Sequence, residues 1–361
     1  MIIIRNGTIY DGTGSPPFVG DLGIEGGLIS ALAPRLEGRG DVEIDATGLA
    51  VAPGFINMLS WANASLIEDG RSQSDIRQGV TLEVMGEGWS MGPLTDEMKR
   101  EAIERQGDVK YDIEWTTLGE YLDYLVACGV SCNVASFVGS ATVRIHELGY
   151  EDRPPTPEEL GRMKALVRHA MEEGAVGLSS ALIYVPPTFS TTEELVALAG
   201  VVAEYGGMYI SHMRSEGNRL LEAVDELITV AREANVASEI YHLKATGRNN
   251  WHKMEKVIEK VEAARAEGLR VTADMYTYTA GSTGLEASMP PWVQEGGHAA
   301  WVTRLKDPDI RKHVAREIAT PTDEWENLYL QAGSPKNVLL VSFKNEALKP
   351  LSGKTLAAVA A

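Results

Sequence analysis

The chain has 361 residues, 44% of them hydrophobic and 23% charged, with a formal net charge of −18. That describes a globular protein of one large domain, or a large domain with a small one. So acidic a surface argues against nucleic acid and anionic membranes as partners, since both recruit basic residues.

The N-terminal stretch MIIIRNGTIYDG lacks the basic-then-apolar form of a secretion signal, and no apolar run reaches the length of a membrane span. A cytoplasmic protein is therefore expected. Together with DLGIEGGLISALAP and DVEIDATG, this stretch reads as short β-branched strands cut by Gly, Asn and Asp turns. It predicts a small antiparallel sheet over residues 1–50. From Leu49 the pattern changes. Apolar runs at 50–56, 80–86, 132–139, 175–182, 208–214, 238–245 and 270–278 alternate with amphipathic stretches at 157–174, 192–206, 218–235 and 252–268. Alternating βα units imply a parallel sheet, and seven of them fit a (β/α)8 TIM-like barrel over residues 51–361. Cys128 and Cys132 supply no disulfide framework and read as buried small hydrophobes. After Ala280 a single strand candidate remains, KNVLLVSFKN at 336–345, and SGKTLAAVAA reads as a helix cut off in its first turns. The barrel is thus expected to be incomplete before or near strand eight.

In such a barrel the chemistry lies at the C-terminal strand ends. Those ends carry Glu87 between two glycines, Arg144, His212, His242, Lys244, Asp274, Tyr276 and Ser282. Two histidines at the ends of successive strands are natural zinc ligands, and Glu87 can supply a third if the strands share one mouth. A lone histidine is more often a satisfied core group; two at matching positions reverse that preference. His169 reads as a surface group.

The stretches VAPGFIN, QGVTLEVMGEG, CNVASFVGSATVR, GAVGLSSALIYVPP, YISHMRSEGN, HLKATG and ADMYTYTAGSTGL resemble, in order, the N-acyl-D-amino-acid deacylases (D-aminoacylases) of the amidohydrolase superfamily. The resemblance implies a (β/α)8 barrel with a small β-sandwich and zinc-dependent hydrolysis of an N-acyl amino acid, a small-molecule substrate. It matches His212 and His242 to zinc histidines. Lys244, Arg144, Tyr276 and Ser282 match positions around the substrate. The chain also departs from the family. The first-strand histidine pair falls on Leu59 and Trp61, the strand-two cysteine on Gly88, and the strand-three histidine on Ser140. The strand-eight catalytic aspartate has no counterpart, which leaves Asp274 as the stand-in. Leu59 and Trp61 cannot bind zinc, so one Zn²⁺ per chain is expected, on Glu87, His212 and His242. A similar one-metal set of a glutamate and two histidines occurs in the N-acetylglucosamine-6-phosphate deacetylases. Two alternatives stay open: another amidohydrolase acting on a cyclic amide or a dipeptide, and a non-catalytic barrel that has lost its metal.

Overall fold

The computed structural model describes residues 1–361 and divides into two compact units, Met1–Ile56 with Ser74–Leu82, and Asn57–Gln73 with Glu83–Ala361. The boundary falls later than the expected residue 50, and the first unit also takes in the start of a later strand.

In the first unit, β1 (Ile2–Ile9), β2 (Phe18–Glu25), β3 (Leu28–Ala33), β4 (Val42–Asp45) and β5 (Ala50–Val51) form one five-stranded sheet. β1–β2 and β2–β3 pair antiparallel, but β4 and β5 lie parallel to β1, so the sheet is mixed rather than antiparallel. Its central polar contact is Asp21, 3% exposed. The carboxylate accepts from the amides of Asn6 (2.9 Å) and Leu36 (3.0 Å) and from Arg5 Nη1 (2.9 Å).

The second unit holds the expected βα alternation. β6 (Phe55–Ser60), β7 (Val80–Met85) and β8 (Asn133–Ser136) are neighbours in that order. β9 (Val138–Gly139), β10 (Gly177–Ala181), β11 (Met208–His212), β12 (Ala237–Ile240) and β13 (Val271–Ala273) follow as five parallel strands in chain order. The four long helices anticipated from periodicity form at Pro157–Glu172, Thr192–Glu204, Leu220–Glu233 and Met254–Ala266. The first begins with a reciprocal cap: Thr156 Oγ1 accepts from the Glu159 amide and Glu159 accepts from the Thr156 amide, with Pro157 in the first helical position. The third turns Leu220, Ala223, Val224, Leu227, Ile228, Val230 and Ala231 inward. That 3.6-residue stripe packs into the main apolar core, each buried Leu, Ile or Val contributing about 1.5–3 kcal/mol.

Two expectations fail here. Residues 336–345 form no strand: their single bridge is Leu339 to Thr355, and Leu339 and Val341 are exposed. Of the cysteines, Cys132 is buried but Cys128 is exposed. Leu356–Ala360 is a short helix, as read.

Candidate metal centre

Strand register brings the candidate residues to one level. Ala181 pairs with His212, Ser211 with Ile240, and Ile240 with Ala273. His212, His242 and Asp274 therefore all lie at the C-terminal ends of adjacent strands. Glu87 follows β7 in a turn flanked by Gly86 (φ +103°) and Gly88 (φ +67°), a conformation that only glycine adopts freely. A Cβ on Gly88 would lie 2.5 Å from Ala181 Cβ, so no ligand side chain fits there, and Glu87 next door provides the carboxylate instead. His242 has φ +36°, a strained value for a non-glycine residue. Such strain costs on the order of 1–3 kcal/mol and gathers at functional sites.

Glu87, His212 and His242 are all buried, and one ligand atom from each lies within 4.8 Å of the others. Glu87 Oε1 is 2.9 Å from His212 Nδ1 and 2.9 Å from His242 Nε2. Its other oxygen, Oε2, accepts from Trp61 Nε1 at 3.1 Å. Burial would raise the Glu87 pKa, but the two imidazoles override it and hold the carboxyl at about 2. Burial likewise opposes charge on His242, yet bonds to Glu216 and Glu87 raise it to about 9. The atom His212 Nε2 is buried without a hydrogen bond. A carboxylate and two imidazoles converging on one point, with an imidazole nitrogen left over, is a donor set that fits zinc.

Glu216 escaped the sequence reading although it stands four residues after His212. It is 5% exposed. Its Oε1 accepts from Lys244 Nζ at 2.6 Å and lies 3.0 Å from His242 Nδ1. Burial works to raise its pKa; the charges of His212 and Lys244 and the His242 bond prevail and bring it to about 2. Lys244 Nζ also sits 2.9 Å from His242 Nδ1 and 5.4 Å from the centroid of the Tyr276 ring. The Tyr184 ring meets His212 edge-on at 5.2 Å between centroids. Behind Glu216, buried Glu326 accepts from Ser215 Oγ (2.6 Å) and Gln331 Nε2 (2.8 Å). Ser215 and Glu326 also line a cavity of about 820 Å³, with Arg219, Arg248 and Trp325.

The remaining candidates divide. The Asp274 carboxylate accepts from the His242 amide, and its Oδ2 is buried without a partner. Burial, against the pull of that amide, raises its pKa to about 6. Ser282 is exposed and lies on the loop after β13. Arg144, expected near the substrate, is engaged inside the protein. It is fully buried, with Nη1 on Glu194 at 2.7 Å and Nη2 on the carbonyls of Glu151 and Arg153. Its guanidinium is committed to holding a loop against the helix that carries Glu194. His169, as expected, is a surface group.

Successive parallel strands and a carboxylate–imidazole cluster at their ends define a barrel of the amidohydrolase type with a metal-capable centre. In sequence and fold alike, the chain resembles the N-acyl-D-amino-acid deacylases. It is 32% identical over 289 residues to D-aminoacylase of Alcaligenes xylosoxydans xylosoxydans, covering 79% of this chain and 59% of that protein. A D-aminoacylase structure, described through the role of its binuclear metal centre, superposes with a TM-score of 0.69 at 30% identity, over 78% of this chain and 59% of that one. N-acyl-D-glutamate deacylase from Bordetella bronchiseptica, complexed with zinc and a phosphonate mimic of the tetrahedral intermediate, gives 0.68 at 30% identity, over 77% and 58%. No protein-family model matches. The chain spans less than two thirds of the length of these relatives.

Proposed function

We propose that this chain is a cytoplasmic zinc-dependent amidohydrolase that cleaves the linear amide of an N-acyl-D-amino acid. The convergence of Glu87, His212 and His242 on one point carries the proposal. These three residues would hold one zinc ion. When bound, such an ion polarises an amide carbonyl and acidifies water toward a pKa of about 7. The D-aminoacylase work, which associates one metal with activation and a second with attenuation, agrees with a one-metal reading.

The chain's own groups supply the rest. Asp274 keeps Oδ2 unpartnered, and with a pKa of about 6 it can take the proton of the attacking water and pass it to the leaving amine. Lys244, held by Glu216, is the cation nearest the ligands and would bind the free carboxylate of the substrate, with Tyr276 packed over it. Ser282, on its exposed loop, would reach the substrate from the open side. Without Arg144, recognition of the carboxylate falls to Lys244 as a point charge. A substrate with a free carboxylate accords with that residue better than an uncharged cyclic amide does.

The test is hydrolysis of N-acetyl-D- and N-acetyl-L-amino acids by zinc-loaded protein. Turnover of the D series is expected, and Asp274→Asn should lower it roughly 10²–10⁴-fold while keeping zinc. A folded, zinc-loaded chain that cleaves neither series contradicts the proposal.

A further inference from the structure

The two oxygens of Glu87 face different partners. Oε1 meets both imidazoles at 2.9 Å, whereas Oε2 takes the indole N–H of Trp61 at 3.1 Å. Burial does not explain where Trp61 sits, because the residue is 65% exposed. The polar contact does: an N–H donated to a carboxylate is a charge-assisted bond, about twice as strong as a neutral one. The chain around Trp61 is also fixed. Ser60 Oγ donates to buried Glu83 at 2.6 Å and accepts from the Ala62 amide at 3.2 Å. Trp61 is thus delivered from the end of β6 to Glu87 on a pinned backbone.

The chemistry of an indole gives this contact a direction. Its N–H donates and it has no lone pair to offer a cation. The bond takes one lone pair of Oε2 and fixes the plane of the carboxylate. We propose that Trp61 is a positioning residue for Glu87: it holds the carboxylate so that Oε1 faces the position between the two histidines while Oε2 faces the indole, and so resists the rotation that bridging to a second cation needs. This inference rests on the one-metal reading above and adds to it a reason why the centre stays mononuclear. A carboxylate free to rotate could bind through both oxygens or bridge two ions. The indole bond removes that freedom. Groups that orient metal ligands in this way change metal affinity by about 10–100-fold when lost.

The experiment compares wild type, Trp61→Phe and Trp61→Gln for zinc affinity, by competition with a chromophoric chelator, and for the visible absorption of the Co²⁺-loaded proteins. Trp61→Phe keeps a ring and deletes the donor. It is expected to bind zinc roughly 10–100-fold more weakly and to shift the cobalt bands as Glu87 changes its binding mode. Because the side chain is largely exposed, the thermal midpoint should stay near that of wild type. Trp61→Gln, which keeps an N–H donor without adding an imidazole that could itself bind zinc, should lose less affinity than Trp61→Phe. Equal zinc affinity and identical cobalt spectra in wild type, Trp61→Phe and Trp61→Gln would overturn the role of Trp61. Wild type that binds neither metal would instead remove the metal reading on which it rests.

Discussion

At the scale of single residues, position in the sequence and position at the site part company in instructive ways. Arg144 follows a strand end, as a substrate ligand would, but it lies on the helix Ser140–Leu148 and its side chain is spent on buried Glu194. Removing one member of a buried ion pair costs about 3–5 kcal/mol, because the other is left charged and unpaired. Arg144→Met is therefore expected to lower the urea midpoint sharply. Arg144→Met with Glu194→Gln should recover much of the loss. A change in KM at unaltered stability would instead return Arg144 to the substrate. Glu87, His212 and His242 were legible because glycine-flanked turns and strand ends fix where such side chains go. Glu216 was not, because it lies past the strand in a loop whose path only the fold reveals. Trp61 read as a lost ligand; its bond to Glu87 gives it a different part.

Among the elements, the long helices were readable to within a few residues, since apolar spacing and acidic first turns are local signals. The run KNVLLVSFKN has equally strong β composition yet makes no strand, because strand formation needs a neighbour and only Thr355 offers a bridge. The N-terminal sheet was foreseen but its parallel pairs were not; short strands do not announce their partners. Within that sheet, Asp21 makes a prediction. Two backbone amides and Arg5 hold its carboxyl at about 2, below the roughly 4 of an unfolded aspartate. A depressed carboxyl stabilises the folded form above its unfolded pKa and loses that effect as pH falls through the folded one. Amide protection in β1 and β2 should therefore hold at pH values above about 4 and decline between about 4 and 2. In Asp21→Asn, protection should be lower and its acid decline shallower, the remainder coming from Glu43 and Asp45, whose carboxyls Arg5 and Thr47 also hold down; an unchanged acid decline in this variant would mean that Asp21 is not responsible.

For the molecule as a whole, the alternation of apolar runs with amphipathic helices was enough to read a βα barrel, and the comparison structures share that fold. Strand order runs in sequence through the parallel sheet and ends at β13, whose outer edge no strand covers. No helix is long and apolar enough to cross a membrane. The fold's consequence for function lies in one place: three features, the turn after β7 and the ends of the neighbouring strands β11 and β12, bring a carboxylate and two imidazoles to a common point. The most direct test is zinc per chain, by elemental analysis of purified, dialysed wild type and of His212→Ala, with circular dichroism to show that both are folded. The account predicts about one zinc in wild type and almost none in the variant, as expected when one of three protein ligands is removed. Zinc-free folded wild type, or full zinc in His212→Ala, would contradict it.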